Sequence, residues 1–182
     1  MTTLAQPAPL APRRFPFWLL FVAAAAFALL AALLLGQGQQ DTARTAWDFD
    51  VTTLDGQRWH LADLRGQVVL LNFWATWCTY CEAEMAELQS LWGAYEARGV
   101  VVLGVVVGDR EARVRAFLDD HSITYPNTLD LPISEAYNIE ALPVTILIDQ
   151  NGLLVNSYYS AITAEQLRPE IEGLLAANAE NG

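Results

Sequence analysis

The stretch VVLLNFWATWCTYC, residues 68–81, decides how this chain is read. Val68–Trp74 is a short continuous apolar run, the pattern of a strand buried on both faces of a sheet. Two cysteines, Cys78 and Cys81, follow where that strand ends and a helix over residues 79–97 begins. Within the helix Cys81, Met85, Leu88, Trp92 and Tyr95 recur every three or four residues. That is one apolar stripe, and it puts Cys81 on the buried side. Cys78 lies one turn earlier, at the helix N-terminus, where free N–H groups and the macrodipole favour a thiolate. Glu82 and Glu84 stand one to two turns away and oppose it, and no Lys or His lies beside the motif. Cys78 is therefore expected to be the attacking thiol, with a moderately lowered pKa, and Cys81 the resolving one.

Outward from this stretch, strands and helices alternate. Val51–Leu54, the turn Asp55-Gly56 and Arg58–Leu61 read as a hairpin. Val100–Val107 is a second buried strand, residues 111–120 a helix, and Val144–Ile148 a third strand. Asn151-Gly152 turns the chain into Leu153–Tyr159. Thr163–Ala177 closes as a helix, with Thr163 as its N-cap. Buried strand, helix, buried strand predicts a parallel βαβ unit, and the late hairpin adds antiparallel pairing. The expected class is α/β, with a central mixed sheet flanked by helices.

The N-terminal part is of another kind. Phe15–Leu35 has no charged or strongly polar side chain and, as a helix, is about 31 Å long, the thickness of a bilayer core. The expected layout is a cytoplasmic tail over 1–14, a transmembrane helix over 15–35, a Gly/Gln-rich linker over 36–46 and a folded domain over 47–182. Arg13 and Arg14 precede the apolar run, so the positive-inside bias exports the C-terminal domain. A cleaved signal peptide is the rival reading. The run exceeds the usual apolar core of about 7–15 residues, and no clear small-residue cleavage site follows it.

Composition narrows the function. The chain has 182 residues, 53% of them hydrophobic and 17% charged. It has no lysine, and residues 41–182 carry eight arginines against all 21 acids, a net −13. A domain this acidic repels phosphate backbones, so nucleic acid is not an expected partner.

Four uses of the cysteine pair compete. A structural disulfide closing so short a loop yields only about 2 kcal/mol in the chain-entropy model. A zinc half-site needs two further ligands, and the only histidines, His60 and His121, are far apart in sequence. A free-thiol pair conflicts with export to an oxidising compartment. A redox-active dithiol agrees with the place of the motif and is the reading adopted. No cofactor and no metal is expected.

Residues 47–177 resemble the membrane-anchored thioredoxin-like proteins of the TlpA/ResA type. The resemblance is carried by Leu54-Asp55-Gly56, Leu61 through Gly66, Val68 through Cys78 with Cys81, and Glu84-Met85. Ala141-Leu142-Pro143-Val144-Thr145, Leu147-Ile148-Asp149 and Asn151-Gly152 carry it further. It implies a thioredoxin-like fold and thiol–disulfide exchange in the cell envelope. Pro143 matches the family's cis-proline, which faces the cysteines and, with Leu142 and Trp77, shapes a substrate groove. Asn72 stands where thioredoxin has a buried acid, and an amide cannot move a proton. Asp109 falls where such proteins often place an acid, which assigns it a proton-transfer role toward Cys81. Two departures stand out: Thr79-Tyr80 between the cysteines, where Gly-Pro or similar pairs are usual, and Ala86 where a proline is often found.

The resemblance further implies disulfide-containing exported proteins as substrates, apocytochrome c among them, and a membrane thiol reductase as electron donor. The lipid bilayer is the partner of the N-terminal helix. A disulfide oxidase or isomerase of the same fold is the nearest alternative. A peroxiredoxin-type peroxidase wants a Thr three residues before its cysteine, and Thr76 stands two before Cys78. A copper chaperone on this fold uses CxxxC with a distant His, whereas the spacing here is CxxC.

Overall fold

The computed structural model describes residues 44–129 and 131–181, and Phe27 alone of those before them. The expected tail, transmembrane helix and most of the linker lie outside the described residues. Among the described residues no helix is long and apolar enough to cross a membrane.

In chain order the elements are β1 (Asp50–Thr52), β2 (Arg58–His60), β3 (Val68–Trp74), α1 (Thr79–Tyr95), β4 (Val100–Val106), α2 (Glu111–Asp120), β5 (Asn127–Thr128), α3 (Leu131–Ala136), β6 (Val144–Ile148), β7 (Leu154–Tyr158) and α4 (Ala164–Asn181). β1 and β2 form a separate antiparallel hairpin. The other five strands make one sheet in the order β5-β4-β3-β6-β7. β4 runs parallel to β3 and β5, and β6 is antiparallel to β3 and β7, so the sheet is mixed as the sequence pattern predicts.

Every residue of β3 and of β4 is buried. The alternation of side chains along a strand sorts β3 between two cores. Val68, Leu70 and Trp74 join Met85 and Leu88 of α1, Val114 of α2 and Ile171 of α4. Val69, Leu71 and Phe73 face the other way, onto Phe49, Val51, Leu61 and Ile133. Full burial of one such side chain is worth about 1.5–3 kcal/mol, and the two faces together explain why β3 tolerates no exposed position.

The small differences from the sequence reading have local causes. α1 gives way to a tight turn over Glu96–Arg98 rather than running to residue 97. Leu91 is fully buried while Trp92 is only half-buried, so the inward stripe shifts by one residue toward the helix end. β5 and α3 are too short to leave a periodicity that a sequence can show. The packed chain also begins earlier than residue 47. Thr45 bridges Leu153, and the Ala46 amide donates to the Gly152 carbonyl. The end of the expected linker is thus part of the fold, because the β6–β7 turn offers it unpaired backbone groups.

Gly104, in the middle of β4, is required by a close approach. A Cβ there would lie 1.9 Å from Asn127 Oδ1 and 2.9 Å from Trp74 Nε1. These two atoms are joined by a buried 2.8 Å hydrogen bond, the indole donating. Gly104→Ala must break that bond or displace β5, and is expected to cost about 2–4 kcal/mol. Urea unfolding reads this as a lowered midpoint at unchanged m-value.

Candidate active site

The C-terminal ends of β3 and β4 and the N-terminus of α1 meet at one edge of the sheet. Cys78 and Cys81 are joined there in a disulfide. Cys78 has extended backbone angles and occupies the N-cap position of α1, with no side-chain cap of its own. The first helical turn, whose amides lack intrahelical partners, starts directly after it. Cys78 is 8% exposed and Cys81 is sealed, so attack from outside can reach only the first of the two.

Register explains how distant residues reach this edge. Val144 pairs with Phe73, so the preceding Leu142-Pro143 lies beside the loop that carries the cysteines. The Leu142-Pro143 bond is cis. Pro143 is buried and Leu142 half-buried, packed against both cores. Trp77 is 60% exposed, its indole N–H pointing at the Gly108 carbonyl at 3.4 Å. Tyr80 is 75% exposed. Two aromatic rings thus flank Cys78 on the open side.

Asp109 holds the loop ahead of the cysteines. Its Oδ2 accepts from the Thr76 amide at 2.9 Å and the Thr76 hydroxyl at 2.5 Å, and its Oδ1 accepts from the Arg110 amide at 2.7 Å. Arg113 stands 3.6 Å away. Burial pushes its pKa up, but the Thr76 hydroxyl, the two amides and Arg113 outweigh that and hold the carboxyl below its ordinary value. Asp109 is therefore an ionised strut between the β4–α2 loop and the β3–α1 loop, rather than a group poised to exchange a proton at neutral pH.

The poised acid is Glu84. Sequence reading grouped it with Glu82 as a charge opposing the thiolate, and the structure separates the two. Glu82 is exposed, while Glu84 is 1% exposed beneath the sheet. Its carboxylate accepts from Asn72 Nδ2 at 3.0 Å and from the Thr145 hydroxyl at 2.8 Å. Burial raises its pKa to about 7, against the opposing effect of Thr145, Asn72 and the Ile162 backbone. Asn72, an amide that cannot carry a proton, is instead the partner of an acid that can. Helical spacing held the signal: Glu84 is three residues from Cys81 and four from Leu88, within the buried arc.

His60 pairs with Asp50 on the β1–β2 hairpin, whereas His121 reaches Glu82 in α1. Among the described residues no group of three His, Cys, Asp or Glu side chains is placed to hold a metal ion.

Glu84 binds its proton more tightly in the folded chain than in the unfolded one. Its share of stability is complete below about pH 4.5 and is lost as pH rises through about 7. The native protein is expected to lose about 3 kcal/mol over that window relative to Glu84→Gln. Urea midpoints of the two proteins, compared from pH 4.5 to 8, check this; parallel curves would contradict it.

Comparison with known proteins agrees with this geometry. The AhpC/TSA family model matches residues 42–157. The thiol-disulfide oxidoreductase ResA of Geobacillus thermodenitrificans is 34% identical over 158 residues, covering 86% of this chain and 91% of that protein. The ResA of Geobacillus kaustophilus is 38% identical over 132 residues, 71% of this chain and 76% of that one. Among solved structures, a thiol:disulfide interchange protein of the thioredoxin family from Chlorobium tepidum superposes with a TM-score of 0.69. It shares 24% identity, covers 73% of this chain and 97% of that one, and so supports the fold. A thioredoxin-like sheet that carries a joined Cys78–Cys81 pair at the N-terminus of α1, in a chain this similar to ResA, is a thiol–disulfide oxidoreductase of the AhpC/TSA family.

Proposed function

We propose that this oxidoreductase reduces disulfides in exported proteins, the haem-site cysteines of apocytochrome c among them, while anchored in the cell membrane by residues 15–35. The observation that carries the reading is the asymmetry of the pair. One cysteine keeps a small exposure, 8%, at a helix N-terminus, and the other is sealed on the helix face that also holds an acid of pKa about 7.

In the reduced protein the Cys78 thiolate attacks one sulfur of a substrate disulfide. A new S–S bond forms, and the other substrate sulfur leaves as a thiolate. Cys81 then gives up its proton and attacks Cys78 Sγ, releasing the second substrate thiolate and closing the Cys78–Cys81 disulfide. Two electrons pass to the substrate. Glu84 is the acceptor for the Cys81 proton, since its pKa matches the operating pH and the two side chains share one helix face. The exposed rings of Trp77 and Tyr80, with Leu142 and Pro143 opposite, form the surface against which the substrate chain lies. A membrane thiol reductase returns two electrons to the Cys78–Cys81 pair. Holding the domain at the membrane keeps that donor at high effective concentration.

The deciding measurement is the reduction potential of the Cys78–Cys81 couple in the full chain, in detergent, against a dithiothreitol series. A value of about −250 mV or lower is expected for a reductant. A value between about −120 and −180 mV would make the protein an oxidant or isomerase and remove the apocytochrome role. Cys81→Ser is expected to accumulate a mixed disulfide with substrate, and Cys78→Ser to form none.

A further inference from the structure

The fold brings a cation to the cysteine motif that the local sequence lacks. His121 ends α2, 39 residues beyond Glu82. Its Nε2 lies 3.1 Å from Glu82 Oε1, and its Nδ1 lies 2.8 Å from the Phe117 carbonyl. A carbonyl and a carboxylate only accept, so both contacts are hydrogen bonds at once in the imidazolium, the form with two N–H groups. The ring also stacks on Phe117 at 4.0 Å and 18°, and Phe117 in turn packs on Trp74 at 5.2 Å. The ring is thus fixed in place from the core outward.

Its partner stands in the first turns of the helix that Cys78 caps. Glu82 follows Cys78, the N-cap residue of α1, by four residues, so its charge lies about one helical turn from the motif. Helical side chains lean toward the N-terminus, so Glu82 and the His121 that meets it lie over the first turn of α1. An unpaired negative charge there disfavours the Cys78 thiolate. We propose that His121 is a positioning residue of the redox site, an imidazolium that binds Glu82, cancels its charge beside Cys78 and so keeps the Cys78 thiol nucleophilic at neutral pH. The proposal deepens the reading of Cys78 as the attacking thiol and rests on it.

The charged groups that bear on the imidazole are Glu82 from α1 and Asp120 of its own helix. Thr79, Ala83, Ala86 and Ile123 line the rest of that hollow with His121 and Glu82. The Phe117 carbonyl first, and then Glu82, raise the His121 pKa above the ordinary histidine value, against the effect of burial. The sign follows. The charge on His121 is complete below about pH 6.5 and is lost as pH rises through its raised pKa. Losing it frees the Glu82 charge while Cys78 is itself titrating. Cys78 therefore titrates over a broader range than a single independent proton.

The experiment follows alkylation of the reduced full chain by iodoacetamide against pH, with the modified cysteine located by mass spectrometry. His121→Gln keeps a neutral side chain that can still hydrogen-bond. It is expected to slow Cys78 alkylation at pH 7 by about two- to fivefold and to sharpen the titration. His121→Lys restores a cation and is expected to keep the native rate at pH 7. Glu82→Gln is expected to speed alkylation, and in its background His121→Gln has no further effect.

An unchanged profile in His121→Gln overturns the proposal. So does His121→Lys behaving like His121→Gln, which would make His121 a packing residue. In the unaltered protein, NMR must find the His121 imidazole titrating above the ordinary value of about 6.5, and a lower value also overturns it. Alkylation at Cys81 before Cys78 in the unaltered chain would instead sink the assignment of the attacking thiol, and this inference with it.

Discussion

Strand β3 must be dry on both faces, yet it carries an amide at its centre, and much of the site follows from what the nitrogen of that amide binds. Asn72 is fully buried between β4 and β6. Its Nδ2 donates to Glu84 and to the Thr145 hydroxyl, both at 3.0 Å, and Thr145 donates to Glu84 in turn. One polar triangle thus ties the central strand to α1 and to β6. Those two elements carry Cys81 and the segment after Pro143. A buried polar group left without partners costs about 1–3 kcal/mol, so the three side chains specify each other's positions. The same dry setting that makes the triangle rigid also lifts the Glu84 pKa to about 7. Fixing the scaffold and preparing an acid beside Cys81 are one physical event.

A second set of long-range contacts shapes the other side of the pair. Asp109 reaches across from the end of β4 to hold Thr76, two residues before Cys78. His121 reaches from the end of α2 to Glu82. The first contact sets the path of the loop, and the second sets the charge along the outer face of α1. Around these fixed parts Trp77, Thr79 and Tyr80 stand exposed beside Cys78.

The chemistry of the pair was legible locally. The strand-to-helix transition, the spacing of the two cysteines and the apolar stripe of α1 assign an outer and an inner sulfur from neighbouring residues alone. Asp109 shows the limit of that reasoning. Its hydrogen bonds tie it to Thr76 as an ionised strut, and hydrogen bonds across 33 residues leave no trace in sequence spacing. Glu84 was misjudged for a related reason. An acid in a helix defaults to solvent unless a partner is waiting in the core, and the partners here come from two other strands.

The sequence by itself determined the alternation of buried strands and helices, the mixed sheet and the site of the two cysteines. Each of these rests on periodicity or on neighbours within a few residues. Tertiary structure alone decided which acid is buried, which is struck to a loop and which is paired with a histidine. Those outcomes depend on what the folded chain sets within about 3 Å of each carboxylate, and that distance is a property of strand register and helix packing rather than of sequence order.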